Sequence, residues 1–102
     1  MVKLKRVARS KAAGTSLKGS IRVSYSRLVA TFGKALKGDG YKTEAEWVLE
    51  APDGTVATIY DYKVGKSYLG EKGKPVSQIT QWHVGGRTAK ALAYVRAALR
   101  KG

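Results

Sequence analysis

Apolar and polar positions divide the chain into patterned segments behind a basic lead. Tyr25, Leu28, Val29 and Phe32 recur at i, i+3, i+4 and i+7, one face of a helix. Ser24 before them suits an N-cap and Gly33 after them a stop, so the pattern predicts a helix of about two turns. The stretch "EAEWVLE" alternates, with Ala45, Trp47 and Leu49 on one side and Glu44, Glu46 and Glu50 on the other. "APDGT" has turn chemistry in Pro52, Asp53 and Gly54, and "TVATIYDYK" is a β-branched and aromatic return strand. Its inward side is open between Val56 with Tyr60 and Ala57 with Ile59. "VGKSYLGEKGKPVS" is an excursion whose length favours a functional role.

"QITQWHV" is a third strand, which the following Gly-Gly is expected to end. "RTAKALAYVRAALRKG" then closes the chain as a helix, with Leu92, Val95 and Leu99 as its buried stripe and Thr88 as a candidate N-cap. Residues 1–20 read as a basic arm, either an added edge strand or a segment tied down by a partner. Residues 21–102 read as a single domain. The order is arm-α-β-β-β-α. It predicts an α+β fold, an antiparallel sheet of three to four strands with two helices on one face.

Composition narrows the function. A chain of 102 residues buries a modest core. With no cysteine and one histidine, disulfides, thiolate sites and structural zinc are excluded, and no cofactor or metal is expected. No apolar run has the length of a signal core or a membrane span, so a soluble, intracellular protein without a membrane partner is expected.

Charge changes the picture most. Twenty Lys and Arg oppose seven Asp and Glu, a net +13. Residues 1–38 hold ten cations and no acid, and residues 72–102 hold seven cations and no acid. All the acids lie between Asp39 and Glu71, with only Lys42, Lys63 and Lys66 among them. Basic ends therefore flank an acidic middle. Solubility alone is better served by acids, so the pattern points to a nucleic-acid partner, DNA or RNA.

Candidate chemistry is sparse. His83 sits on the strand face opposite Trp82, beside Ile79 and Gln81, where a hairpin glutamate could orient its ring. No nucleophile motif, metal cluster or Gly-rich phosphate fingerprint accompanies it, so no enzyme is expected. The "GGRT" step is more suggestive. Gly85 and Gly86 before a helix start, with Arg87 and His83 near, make a candidate anion site. Arg87, Lys90, Tyr94 and Lys101 follow one line of the closing helix, and Lys34 and Lys37 could join that surface. Lys3, Lys5, Arg6, Arg9 and Lys11 would act as a charged arm along a phosphate backbone. Tyr60, Tyr62 and Tyr68, near Lys63 and Lys66, could stack bases.

Two resemblances follow from these residues. "AEWVLEAPDGTVATIYDYK" with "ITQWHVGG" resembles a family of small proteins of phages and large DNA viruses that pair such a hairpin with a later W-H-x-G-G. The likeness covers residues 24–99 and implies a viral origin, in host cytoplasm, nucleus or virion. Its signature positions are Trp47, Asp53, Gly54, Tyr60, Trp82, His83, Gly85 and Gly86. The element order is also similar to the double-stranded RNA-binding domain, which reads shape partly through the start of its last helix. "APDGT" lacks that family's Gly-Pro-x-His loop, and "RTAK" only echoes its lysine cluster.

The expectation is a small viral nucleic-acid-binding protein, non-catalytic and of low sequence specificity. The nine cations Lys3, Lys5, Arg6, Arg9, Lys11, Lys34, Lys37, Arg87 and Lys90 would carry the contacts. Alternatives are a viral anti-defence inhibitor that binds a host protein or nucleotide messenger, and a capsid or packaging component. A homo-oligomer could form if the acidic hairpin face met the basic ends of a second copy.

Overall fold

Both ends of the first helix are fixed by residues the sequence supplies for them. The computed structural model describes residues 3–38, 43–62 and 65–101. In chain order its elements are β1 (Lys5–Arg6), β2 (Ser16–Arg22), α1 (Tyr25–Phe32), β3 (Leu36–Lys37), β4 (Ala45–Glu50), β5 (Val56–Tyr60), a four-residue α2 (Lys66–Leu69), β6 (Gln81–Gly86) and α3 (Lys90–Lys101). Ser24 Oγ accepts the Arg27 N–H at 3.1 Å at the start of α1. Gly33, at φ 91°, donates its N–H to the Val29 carbonyl at the other end.

The sheet is antiparallel throughout, in the order β1-β4-β5-β6-β2, with β3 also paired to β4. β1 and β3 thus share the outer edge of β4, and β2 is the edge at the far side. The α+β class is as expected. The sheet has six strands instead of three or four because the arm supplies β1 and β2 and the cationic connector supplies β3. Residues 5–22 are therefore built into the domain. Their partners lie far away in sequence, so no local turn signal announces the pairing.

Cross-strand register resolves the open side of the return strand. Trp47 faces Ile59 and Leu49 faces Ala57, and these four residues are buried toward the helices. Trp47 and Trp82 meet edge to face with centroids 5.5 Å apart, and Tyr25 packs against both. Each indole N–H also holds one end of α1. Trp82 Nε1 donates to the Val23 carbonyl at 3.0 Å, and Trp47 Nε1 donates to the Gly33 carbonyl at 2.8 Å. A helix of two turns has little stability of its own, and this double clamp supplies it from the sheet.

Two glycines let α3 lie close. A Cβ on Gly86 would stand 2.3 Å from Ala91 Cβ, and one on Gly19 would stand 2.7 Å from Leu92 Cδ2. Ala91 and Val95 are accordingly the deepest residues of α3, while Leu92 and Leu99 are only partly buried. The expected stripe is rotated by this close approach. α1 also ties down the end of α3, because the Arg27 guanidinium donates to the Leu99 carbonyl, one of the helix's last free acceptors. No described helix is long and apolar enough to cross a membrane.

Candidate polyanion interface

The arm crosses the sheet on the face that the helices leave uncovered. β1 pairs along β4, and Val7 donates its N–H to the Val48 carbonyl at 2.9 Å. A 3-10 turn, Arg9–Ala12, then packs on β4 and β5, and β2 follows at the opposite edge. The crossing hides Val48 and Thr58, 1% and 3% exposed, which alternation alone would put in water.

Arginines hold the crossing in place. Arg6 Nη1 donates to the Lys34 carbonyl at 3.0 Å. Arg9 Nε donates to Glu46 Oε1 at 3.0 Å, and its Nη2 donates to the Lys37 carbonyl. Lys11 Nζ is 3.9 Å from Glu50 Oε2. Arg87 reaches over from beyond β6, with Nη2 donating to the Ala13 carbonyl at 2.7 Å and to the Lys11 carbonyl at 3.1 Å. The acidic face of the hairpin is thus met by the chain's own basic arm, so Glu46 and Glu50 are already engaged within one molecule.

The four residues of the candidate anion site do not converge. Gly85 and Gly86 lie inside β6, paired with Thr58 and Ala57 on one side and with Leu17 and Ser16 on the other. The strand closes at Gly86 as expected, but both glycines belong to it, paired in the ladders on either side. A Cβ on Gly86 would point to α3, whereas one on Gly85 would point to Thr58 Oγ1 on the opposite face. Arg87 is committed to arm carbonyls. Thr88 contributes its carbonyl to the Ala91 N–H at the start of α3. Ile79 is buried in the helix-side core and does not share the face of His83.

The line along α3 meets an acid. Tyr94 Oη donates to Asp53 Oδ2 at 2.7 Å, tying α3 to the β4–β5 turn. This bond and the Thr55 N–H lower the Asp53 carboxyl to about pKa 2, and the Tyr94 phenol is raised in return. Lys90, which is exposed, adds a smaller attraction to Asp53. The side chains of Lys101 and Lys66, together with Lys42 and Lys63, lie outside the described residues.

What remains is two cationic rims at opposite edges of the sheet. Lys3, Lys5, Lys34 and Lys37 are exposed along the β1–β3 edge. Lys3 and Lys5 border a groove of about 590 Å³ that Glu50 also lines. Sequence reasoning did not single out the second rim. Arg22, Arg96 and Arg100 surround a groove of about 650 Å³ between β2 and α3, with Ser20, Ile21 and Leu99. Its lining contains no acid. Lys18 belongs to the same edge, as the extra residue of a bulge between Leu17 and Gly19. The available signal was Arg96 and Arg100 at i and i+4 on a helix without acids.

Along the uncovered face, Glu46, Tyr60, His83 and Ser20 form one cross-strand row, and Gln81 with Arg22 lies in the next. Tyr60 and His83 meet at 5.6 Å and 73°, and Tyr62 meets His83 at 5.8 Å and 45°. Burial is the main influence raising the Tyr60 phenol. No group of three or more metal-ligating side chains occurs among the described residues. The sequence matches no protein-family model and none of the curated proteins.

Proposed function

We propose that the protein binds nucleic acid through its phosphates, without chemistry of its own and with little sequence specificity. One observation carries this reading. The acids Glu46 and Glu50 face the chain's own arm, while Arg22, Arg96 and Arg100 face outward around a groove with no acid in its lining. One lysine and a bulge are enough to protect an exposed edge strand. Three arginines at one groove exceed that need, and guanidinium forks match phosphate geometry.

In this reading the arginine rim is the primary contact. Lys3, Lys5, Lys34 and Lys37 are a weaker second rim, and Arg6, Arg9 and Arg87 serve chiefly to hold the arm. The likeness to phage and large-DNA-virus proteins makes a virus-encoded protein the natural setting.

Salt dependence is the direct test. Binding to a random duplex or single strand should fall steeply from about 0.05 to about 0.2 M salt, as released counterions require. Reversing charge at Arg96 and Arg100 together should weaken binding at least about tenfold and flatten the log–log slope by about two. A slope that does not change, or no binding at low salt, overturns the reading.

A further inference from the structure

We propose that one molecule bridges two segments of nucleic-acid duplex, one on each cationic rim. The proposal rests on the reading of the rims as phosphate surfaces and adds that separate duplexes occupy them at the same time.

The distribution of cations across the sheet carries it. The central strands β4, β5 and β6 contain no lysine or arginine. The outer strands supply Lys5 and Lys37 at one edge and Lys18 and Arg22 at the other. α1, which packs through Tyr25 on Trp47 and Trp82, has one cation, Arg27, and its guanidinium is bonded to the Leu99 carbonyl. On the uncovered face Arg9 is paired with Glu46, and Arg87 holds the arm carbonyls. The rims are therefore two separate surfaces and not one continuous basic face. The β1–β3 rim runs along β4 from Lys37, opposite Ala45, to Lys5, opposite Glu50, about 17 Å or about five phosphate rises of one strand. Glu50, which lines the groove there, is 3.9 Å from Lys11. On the other rim Arg96 and Arg100 stand about 6 Å apart along α3, beside Arg22.

Duplex stiffness gives each rim its own segment. A single duplex touching both rims would have to reverse direction around the domain. At the curvature of a nucleosome, about 45° per ten base pairs, a reversal takes about 40 base pairs, or about 140 Å. The protein measures 41 Å along its longest axis, too little surface to guide such a bend. Two duplexes reach the rims without bending at all. From the β1–β3 edge to β2 is four strand spacings, about 19 Å. That is about twice the screening length at physiological salt, so the sheet holds two phosphate backbones far enough apart to blunt their mutual repulsion.

A capture experiment on the full chain, run beside fluorescence anisotropy, separates the two ideas. A biotinylated duplex of about 40 base pairs is fixed to beads, and a fluorescent duplex of equal length is added with the protein at about 0.05 M salt. Anisotropy with the fluorescent duplex alone reads binding, and its recovery on the beads reads bridging. The unmodified protein should raise recovery at least about tenfold over a protein-free control. Lys34→Glu with Lys37→Glu alters the weaker rim and leaves in place the backbone carbonyls that accept from Arg6 and Arg9. This variant should lose less than about threefold in affinity for one duplex. At the concentration that half-saturates one duplex, its recovery should nevertheless fall at least about tenfold. Binding of one duplex by the unmodified protein without recovery of the second overturns bridging and leaves the phosphate reading standing. Absence of any binding at this salt overturns both. Full recovery with the Lys34→Glu, Lys37→Glu variant also overturns the proposal, because bridging would then come from association between copies.

Discussion

Glycine at position 86 matters for the atom it lacks. Its missing Cβ is filled by Ala91 of α3, so Gly86→Ala forces strand and helix apart and should cost about 2–3 kcal/mol in chemical denaturation. Two aspartates act in opposite directions on the acid limb of stability. Asp53 is held at about pKa 2 in the fold against 3.8 in the free chain. Its contribution is complete above 3.8 and is lost as pH falls toward about 2. Tyr94→Phe should therefore lower Tm near neutral pH, and the gap to wild type should close on acidification through that window. Asp61 is the reverse. It is fully buried, its Oδ1 accepts the N–H groups of Glu44 at 2.8 Å and Ala45 at 3.0 Å, and burial raises its carboxyl. Its ionised form carries a penalty that grows as pH rises from 3.8 through the raised value. Asp61→Ala leaves two N–H groups at the head of β4 unpaired and should cost about 2–4 kcal/mol in urea unfolding near neutral pH. Asp61→Asn keeps the acceptor, removes the charge, and should cost less than half as much.

Elements whose signals are local were legible in the sequence. α1 is bounded by its own cap residues, and the β4–β5 hairpin by Pro52, Asp53 and Gly54, so periodicity and turn chemistry sufficed. The arm was not legible as part of the sheet, since β2 pairs with β6 and that pairing leaves no trace near either strand. Gly-Gly does mark the close of β6, but that both glycines are paired in it, with β5 and β2 on either side, was not legible for a related reason. The candidate site divides along the same line. The excess of cations was evident, but which of them hold carbonyls and which face water depends on the crossing. Arg87→Ala removes the bonds that join α3's leading end to the arm, and should cost about 1 kcal/mol, a fall in Tm of about 4–8 °C. Hydrogen exchange localises the change: residues 11–15 should lose protection while α3 keeps its own. Uniform loss across the sheet would show that Arg87 supports more than the arm.

At the scale of the whole molecule, net charge makes stability and binding respond to salt with opposite signs. A chain at +13 repels itself in the compact state, so moderate salt should raise its Tm in calorimetry, while the same salt should weaken the nucleic-acid complex proposed above. A Tm that falls with salt would mean that attractive pairs such as Arg9 with Glu46 outweigh the repulsion. The crossing arm also bears on how the chain reaches this state. β2 is made early and its partner β6 late, and the Trp82 indole that secures Val23 lies 59 residues beyond it. On the ribosome the second strand therefore waits, cationic and without its partner, until nearly the whole domain has emerged. Closing so long a span places refolding among slow, topology-limited reactions of milliseconds to seconds. In that interval an anionic strand can reach Lys18 and Arg22 before β6 does, so nucleic acid would compete with the chain's own last strand for its second one.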